Sequence, residues 1–171
     1  LNKNNNKFIL NYKTISPILT DYDEQAGSIS GYFMQDLWAA RLIYKKMPKS
    51  HTDIGSRIDG FISNLLVFMD VTVVDIRNLR SKVEGLKFKK SDATDLKEFK
   101  DNSVQSLSSL HAAEHFGLGR YGDKIDPNGH IKFINNLERI LAIDGHLLFS
   151  VPLGNDVVIF NSHRAFRPKT I

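Results

Sequence analysis

The sequence predicts an α/β protein: a Rossmann-like three-layer sandwich with a mainly parallel sheet of about five strands. Short strand-like segments alternate with segments of helical period, which is typical of parallel sheets with right-handed crossovers. A glycine-bearing turn follows the first of these segments, at 53–60, and Asp75 ends the second. In such sheets ligands bind at the carboxyl ends of the strands, where this turn and this acid are expected.

The period of the apolar residues sets the predicted elements. Strands are predicted at 51–54, 71–75, 86–90, 104–110 and 146–151, and helices at 32–46, 58–68 and 129–141. Apolar stripes support the first and last helices: Phe33, Met34, Leu37, Trp38, Leu42 and Tyr44 in one, and Ile131, Ile134, Leu137, Ile140 and Leu141 in the other. Asp144-Gly145 predicts the turn into the last strand.

The predicted organisation is one globular unit with an appendage. Residues 50–171 are expected to form the α/β domain, and residues 1–49 an N-terminal extension with one helix packed on it. Trp38 is expected to be a core anchor of that helix or part of a ligand pocket. A short strand is expected at 7–12.

Composition limits the functional classes. Lys plus Arg is 23 and Asp plus Glu is 19, so the net charge is +4, and no dense basic run with aromatics indicates nucleic acid. The absence of cysteine excludes disulfides, thiolate metal sites and a cysteine nucleophile, and favours a cytoplasmic location. No apolar run approaches the roughly 18 residues of a membrane-spanning helix.

The turn after the first strand predicts a ligand site, although an ordinary strand–turn–helix is the alternative. Gly55 lets the backbone approach a ligand closely. Arg57 and Asp59 occupy positions where a dinucleotide fingerprint has glycines, and an acid at a helix start repels pyrophosphate. A phosphate-free ligand is tolerated better, and its amine can face Asp53 or Asp59.

Two further acids end or follow strands. Asp75 can accept hydrogen bonds from both hydroxyls of a ribose, or it can cap a helix or turn. Asp92, after the third strand, can hold an adenine amino group, and by itself it indicates a turn.

Titratable side chains are concentrated after the fourth strand, where active sites lie in such sheets. Glu114 lies between His111 and His115, and a glycine loop at 117–122 follows. The order differs from that of a metalloprotease helix, and no metal site is predicted. Further along, His163 is a candidate general base and Arg164 a candidate anion clamp, with ordinary surface residues as the alternative.

These segments resemble class I S-adenosylmethionine-dependent methyltransferases over roughly residues 50–153. Asp53-Ile54-Gly55 is similar to that family's first motif, Asp75 to its ribose-binding acid and Asp92-Ala93 to its adenine-side motif. Two longer segments are similar to its fourth strand with the following Leu-Glu-His segment and to its fifth helix–strand unit: Val104 to His115, and Leu137 to Pro152. The whole chain also resembles a small uncharacterised family with this core, through residues 31–40, 117–123 and 161–164.

The resemblance implies S-adenosylmethionine as the cofactor, held by Asp53, Gly55, Ser56, Asp75, Ile76, Asp92, Ala93 and Leu110. It implies methyl transfer to an oxygen of a small acceptor. Bacterial proteins of the smaller family look like members of surface-polysaccharide pathways, which implies a sugar. The catalytic residues would be His115 or His163 as the base, oriented by Glu114 or Asp123. Tyr121, Arg120 and Arg164 would position the acceptor.

Two departures support an alternative function. The first motif lacks the family's second and third glycines, and the predicted sheet lacks the last two strands of a complete methyltransferase. Both favour a degenerate, non-catalytic relative that acts as a binding or assembly protein. A nicotinamide-dependent enzyme is a third possibility, and Arg57 with Asp59 argues against it.

Overall fold

The computed structural model describes residues 11–20 and 26–171, and the chain divides into two compact units, Leu1–Ser30 and Gly31–Ile171. In the first unit, Asn11 caps a 3₁₀ turn at Tyr12–Thr14, because its side chain accepts the backbone N–H of Lys13 at 3.0 Å. The strand predicted at 7–12 lies mostly outside the described residues. The second unit begins at Gly31 rather than at residue 50, so the first long helix is grouped with the sheet.

The second unit alternates helices and strands. In the described residues its elements are α1 (Gly31–Lys46), β1 (His51–Ile54), a π-helical turn (Ile58–Ile62) continuing into α2 (Ser63–Leu66), β2 (Val71–Asp75), β3 (Leu86–Lys90), β4 (Val104–Leu110), a 3₁₀ turn (Ala113–His115), α3 (Gly129–Ile140), β5 (Leu141–Ser150), β6 (Val157–Ile159) and β7 (His163–Ala165).

The sheet confirms the predicted fold class. Among the described residues, five parallel strands lie in the order β3-β2-β1-β4-β5. The buried strand β1 is central, between β2 and β4, and the short antiparallel pair β6–β7 forms a separate sheet. The order reverses at β1, so the carboxyl ends of β1 and β4 flank a crevice, which is where ligands bind in open α/β sheets.

Two apolar clusters fill the space on the two faces of the sheet, which gives the three layers. On one face, α3 packs through Phe133, Leu137 and Ile140 against residues of β1 and β4. On the other face, α1 and the helical segment after β1 pack against β2 through Ala39, Ile43, Phe61, Ile62 and Leu65.

The face that α1 buries differs from the predicted one. Its buried residues are Asp36, Ala39, Ala40 and Ile43, at the i, i+3, i+4 and i+7 positions of a helical face. The large apolar residues point the other way, and Trp38 is 50% exposed, so the core-anchor prediction is wrong. Small alanine side chains let the helix approach the layer beneath it closely, which explains why the bulkier stripe faces outward.

The last parallel strand begins earlier than predicted. β5 starts at Leu141, and the predicted turn at Asp144-Gly145 lies inside it. The pairing of β4 with β5 shifts register between Val104 and Ser106, so the turn-forming residues lie at an irregularity within the strand. None of the helices in the described part of the chain combines the length and apolar character that spanning a membrane requires.

Candidate functional site

A cavity of about 790 Å³ lies at the carboxyl ends of β1, β2 and β4. Its size falls in the range of small-molecule and cofactor sites. The cavity walls come from α1, the turn after β1, the end of β2, the residues after β4 and the turn before β7. Among the residues predicted for a site, the lining includes Gly55, Ser56, Asp75, Ile76, Ala93, Leu110, Glu114, His115, Arg120, Tyr121, Asp123 and His163.

Gly55 forms one wall through its backbone. Its φ of +74° is one that other residues rarely adopt, and its N–H donates to Val74 O at 3.0 Å. A Cβ atom at this position would lie 3.0 Å from the Cβ of Ala112. Glycine is therefore needed both for the turn and for the close approach of the segment after β4.

The two residues that replace glycines in this turn neutralise each other. Arg57 and Asp59 form an exposed ion pair, with Nη2 and Oδ2 3.0 Å apart. Gly60, which is out of register with the dinucleotide fingerprint, still has a packing role, because the carboxylate of Asp36 occupies the space that its side chain would need. Gly60 therefore allows close packing against α1, and the charges of Arg57 and Asp59 cancel.

Asp53 does not face the cavity. It is fully buried, and its carboxylate accepts the backbone N–H of Ser56 at 3.0 Å and the hydroxyls of Ser56 and Ser108 at 2.6 and 2.5 Å. Burial raises the pKa of Asp53 to about 6, and these hydrogen bonds oppose the shift. This carboxylate fixes the turn from beneath and does not line the cavity, and its contact with a ligand amine stays a prediction.

A buried polar network extends from Asp53 to the start of β1. His51 Nε2 lies 2.8 Å from the hydroxyl of Ser108, and its Nδ1 lies 2.8 Å from the hydroxyl of Ser106. Burial lowers the pKa of His51 to about 4. Ser56 extends the network at its other end, since its hydroxyl accepts the N–H of Leu110 at 2.9 Å. The central strand pair β1–β4 is thus joined by side chains directly under the cavity floor.

Asp75 lines the cavity where the sequence predicts a ribose-binding acid. Its Oδ1 accepts the backbone N–H and the Nε–H of Arg77 at 2.8 and 2.9 Å, and its Oδ2 accepts the Nη2–H at 2.7 Å. The guanidinium of Arg77 also lies 4.4 Å from the ring centroid of Tyr121. The acid is therefore already paired with a cation, and each of its oxygens keeps limited capacity for a ligand.

Asp92 is placed differently from the prediction. Its Oδ1 accepts the N–H and hydroxyl of Thr94 at 2.9 and 2.8 Å, as in an Asx turn, and its side chain does not line the cavity. The neighbours Ser91 and Ala93 line it instead. The adenine-side contact of Asp92 stays a prediction, and Ala93 with Ile76 and Leu110 supplies an apolar wall of the cavity.

Glu114 is the centre of the titratable cluster after β4. It is 2% exposed, and its Oε1 lies 3.2 Å from His111 Nδ1 and 3.7 Å from His115 Nε2. Its Oε2 is buried without a hydrogen-bond partner. Burial lowers the pKa of His115, and the contacts with Ser162 and Glu114 oppose this. His111 was absent from the predicted catalytic set, although its spacing to Glu114 was the signal for it.

The glycine loop after this cluster is organised by Asp123. Its Oδ2 accepts the N–H groups of Gly117 and Gly119 at 2.9 and 3.1 Å, and its Oδ1 accepts the N–H of Tyr121 at 3.2 Å. These bonds organise the loop, and in the part of the chain that the structure describes Asp123 forms no hydrogen bond with a histidine. Its role in orienting a catalytic histidine stays a prediction.

His163, at the start of β7, lies at one side of the cavity, and Ser162 before it contacts residues of the cavity wall. The carbonyl of Ser162 accepts His115 Nδ1–H at 2.7 Å and Arg120 Nη1–H at 3.0 Å. His163 lines the cavity, and its Nδ1 lies 2.8 Å from the Ser162 hydroxyl. The predicted base and the predicted acceptor-positioning Arg120 are thus brought to one wall.

Arg164 is not part of this cavity. It is buried, its Nη1 donates to Phe116 O at 2.6 Å, and burial lowers its pKa. It lines a second, smaller cavity of about 450 Å³ beside β6 and β7. Arg164 therefore ties β7 to the segment after β4, and its role in positioning an acceptor stays a prediction.

Helix α1 supplies cavity residues that the sequence did not reveal as site residues. Tyr32, Gln35 and Asp36 lie at i, i+3 and i+4 on the side of the helix that faces the cavity. Burial raises the pKa of Asp36, which is 6% exposed, and the charge of Arg57 opposes the shift. The signal available in the sequence was this polar trio in the first half of the helix.

Metal ligation has no support in the described residues, where no group of three or more His, Asp or Glu side chains has the arrangement of a metal site. Glu114 instead contacts the side chains of His111 and His115.

Comparison with known proteins gives a family and a fold. Residues 63–170 match the sequence profile described as Caenorhabditis protein of unknown function, DUF268. No curated protein sequence matches the chain.

Two solved structures are similar in fold. One is the 1,6-didemethyltoxoflavin-N1-methyltransferase of Burkholderia thailandensis with bound 1,6-didemethyltoxoflavin and S-adenosylhomocysteine, with a TM-score of 0.55, 14% identity and coverage of 79% of this chain and 62% of that one. The other, proposed to be a sarcosine dimethylglycine methyltransferase of Galdieria sulphuraria, has a TM-score of 0.54, 16% identity and coverage of 70% and 47%. The chain thus spans less than two thirds of either protein and shares the methyltransferase fold with both.

Proposed function

Because the chain belongs to the DUF268 family and has the fold of class I methyltransferases, we propose that it binds S-adenosylmethionine and transfers the methyl group to a small hydroxyl acceptor. One observation carries the proposal. The cavity at the carboxyl ends of β1, β2 and β4 is bordered by the close-approach glycine, Gly55, and by the acid that ends β2, Asp75. A nucleoside site needs a backbone that approaches the ligand closely and a carboxylate that accepts hydrogen bonds from both ribose hydroxyls.

The residues present fit this cofactor at three points. Asp75 would accept hydrogen bonds from the ribose hydroxyls. The apolar wall of Ile76, Ala93 and Leu110 would contact the adenine. Asp36 would face the amine, because it is the buried carboxylate of the cavity beside the glycine turn. The neutralised pair Arg57–Asp59 suits a cofactor without phosphate.

The histidine-rich end of the cavity supports a hydroxyl acceptor. Bound S-adenosylmethionine supplies an activated methyl group on a sulfonium. A hydroxyl nucleophile must lose its proton, and an imidazole is a suitable proton acceptor near neutral pH. His111, His115 and His163 all line the same end, with Tyr121 and Arg120 beside them. A sugar or another small polyol fits this polar wall.

Calorimetry with S-adenosylhomocysteine tests the cofactor part of this proposal. We expect saturable binding to the wild type and an affinity about 10- to 100-fold lower for Asp75→Ala, since a hydrogen bond to a charged group contributes about 1.5–3 kcal/mol. Glu138→Gln, at an exposed acid on α3, is the matched control and should bind like the wild type. No heat and no thermal shift with the wild type would refute the proposal.

A binding role without catalysis is the second candidate, and the pairing of Arg77 with Asp75 favours it, because the guanidinium occupies the acid that must accept hydrogen bonds from the ribose hydroxyls. Arg77→Met separates the two functions. If the pair blocks the cofactor, the variant should gain affinity for S-adenosylhomocysteine. If Arg77 only orients Asp75 for the ribose, the variant should lose affinity.

A further inference from the structure

His111 has an unusual backbone at the carboxyl end of β4. Its φ is +53°, a left-handed conformation that is uncommon outside glycine. Two bonds hold it there: the backbone N–H donates to the carbonyl of Ser150 at 3.0 Å and to its hydroxyl at 3.2 Å. Residues held in such conformations concentrate at active sites, where surrounding structure fixes them.

The side chain of His111 is oriented by two contacts. Its Nδ1 lies 3.2 Å from Glu114 Oε1, and its ring meets Tyr32 edge to face, with centroids 5.1 Å apart. A carboxylate oxygen accepts a hydrogen bond, so in the neutral imidazole this contact favours the tautomer with the proton on Nδ1 and the lone pair on Nε2. The side chain is 26% exposed and lines the cavity. A proton acceptor is thus available at the cavity surface.

The other two histidines are arranged differently. His115 Nδ1 donates to Ser162 O at 2.7 Å, and its Nε2 is directed at Glu114, 3.7 Å from Oε1. A proton taken up at that Nε2 would lie between two protein groups, away from an acceptor. His163 contacts the Ser162 hydroxyl through Nδ1, and in the described residues it forms no ion pair with a carboxylate.

The surroundings of Glu114 strengthen its effect on His111. Its Oε2 is buried without a hydrogen-bond partner, and its Oε1 lies beside His111 and His115. An imidazolium at His111 would form a direct ion pair with the Glu114 carboxylate. The other titratable groups near His111 are Asp36 and Tyr32 of α1, and His115 on the far side of Glu114.

We propose that His111 is the general base of the methyl transfer and that Glu114 is its positioning residue. The inference rests on the proposed function. The acceptor oxygen gives its proton to His111 Nε2 and forms the new bond to the methyl carbon, while the electron pair of the broken C–S bond stays on sulfur. The products are a methyl ether, a neutral thioether and an imidazolium paired with the Glu114 carboxylate.

Nitrogen NMR of the protein labelled at histidine tests the arrangement without an acceptor. Neutral His111 should show a protonated Nδ1 and an unprotonated Nε2. Glu114→Leu, which removes the hydrogen-bond acceptor, should shift His111 toward the Nε2–H tautomer. Glu114→Gln retains an acceptor oxygen and should restore the Nδ1–H form. Asp36→Asn removes a neighbouring carboxylate without touching this bond and should leave the tautomer unchanged.

The opposite tautomer in the wild type, or one that does not respond to Glu114→Leu while the protein stays folded by circular dichroism, would overturn the proposal. Binding of S-adenosylhomocysteine is measured on the same samples. If the wild type does not bind S-adenosylhomocysteine, the proposed function is refuted. The tautomer of His111 would still report on its pairing with Glu114.

A kinetic comparison tests the catalytic role. Tritium transfer from methyl-labelled S-adenosylmethionine to a mixture of monosaccharides, polyols and phenols should fall about 100-fold or more in His111→Gln, the range typical of a lost general base. The rates of His115→Gln and His163→Gln should fall by clearly smaller factors. A greater loss in either of them than in His111→Gln would contradict the assignment.

Discussion

The carboxylate of Asp53 holds both the backbone N–H and the hydroxyl of Ser56, at 3.0 and 2.6 Å. The same hydroxyl accepts the N–H of Leu110 from β4. A strand residue that never contacts solvent thus determines the shape of the turn above it and its connection to the neighbouring strand. The shape of the cavity floor therefore depends on a buried acid that does not itself line the cavity.

The buried pair His51 and Asp53 should give opposing contributions to the pH dependence of stability. The pKa of Asp53 is raised from 3.8 to about 6, so its contribution to stability is present at low pH and is lost as the pH rises from 3.8 to 6. The pKa of His51 is lowered from 6.5 to about 4, so its contribution is present above 6.5 and is lost as the pH falls to 4. In the wild type the two effects largely cancel.

Single substitutions should reveal each contribution. Relative to the wild type, Asp53→Asn should lose stability as the pH falls from 6.5 to 4, and His51→Gln should gain it over the same range. Each change should be on the order of 3 kcal/mol, since one pKa unit corresponds to about 1.4 kcal/mol. Urea unfolding across this pH range measures both. Curves that stay parallel to the wild type in both variants would contradict the assignment.

Gly55→Ala should destabilise the protein more than Gly122→Ala. Both glycines have positive φ, +74° and +86°, which costs an alanine roughly 1–2 kcal/mol. Only at Gly55 would the new methyl group also press against Ala112, because the space around Gly122 is open. Chemical denaturation gives the two free energies of unfolding. Equal losses would show that the segment after β4 moves away from the turn at little cost.

Asp123→Ala should loosen the glycine loop, because three backbone N–H groups lose their common acceptor. We expect faster hydrogen exchange at the amides of Gly117, Gly119 and Tyr121, and a loss of about 1–3 kcal/mol in the stability of the loop. Asp144→Ala, at an exposed acid in β5, is the control and should leave these amides unchanged. Unaltered exchange in Asp123→Ala would mean that the loop is held by other contacts.

The sequence predicted the fold well, because the spacing of the apolar residues and the length of each segment determine the strands and helices. The bounds of β1 to β4 agree with the structure, since short strand-like segments between turn signals leave few alternatives. The orientation of individual side chains was harder to predict. Asp53 was expected to face a ligand, yet the face that it occupies within β1 depends on the neighbouring strand. Asp36 was hidden in α1, because the bulky stripe including Trp38 suggested the wrong face.

The connection between Asp53 and Ser108 has a consequence for how the protein acquires its site. These residues are 55 positions apart, and Ser56 and Leu110 are 54 apart. Contacts between distant parts of a chain form slowly, because a long loop must close before they contribute free energy. The site therefore cannot exist before β1 and β4 pair. In a refolding experiment, binding of S-adenosylhomocysteine should recover at the same rate as the pairing of β1 with β4. The recovery of binding would therefore report when the sheet is complete.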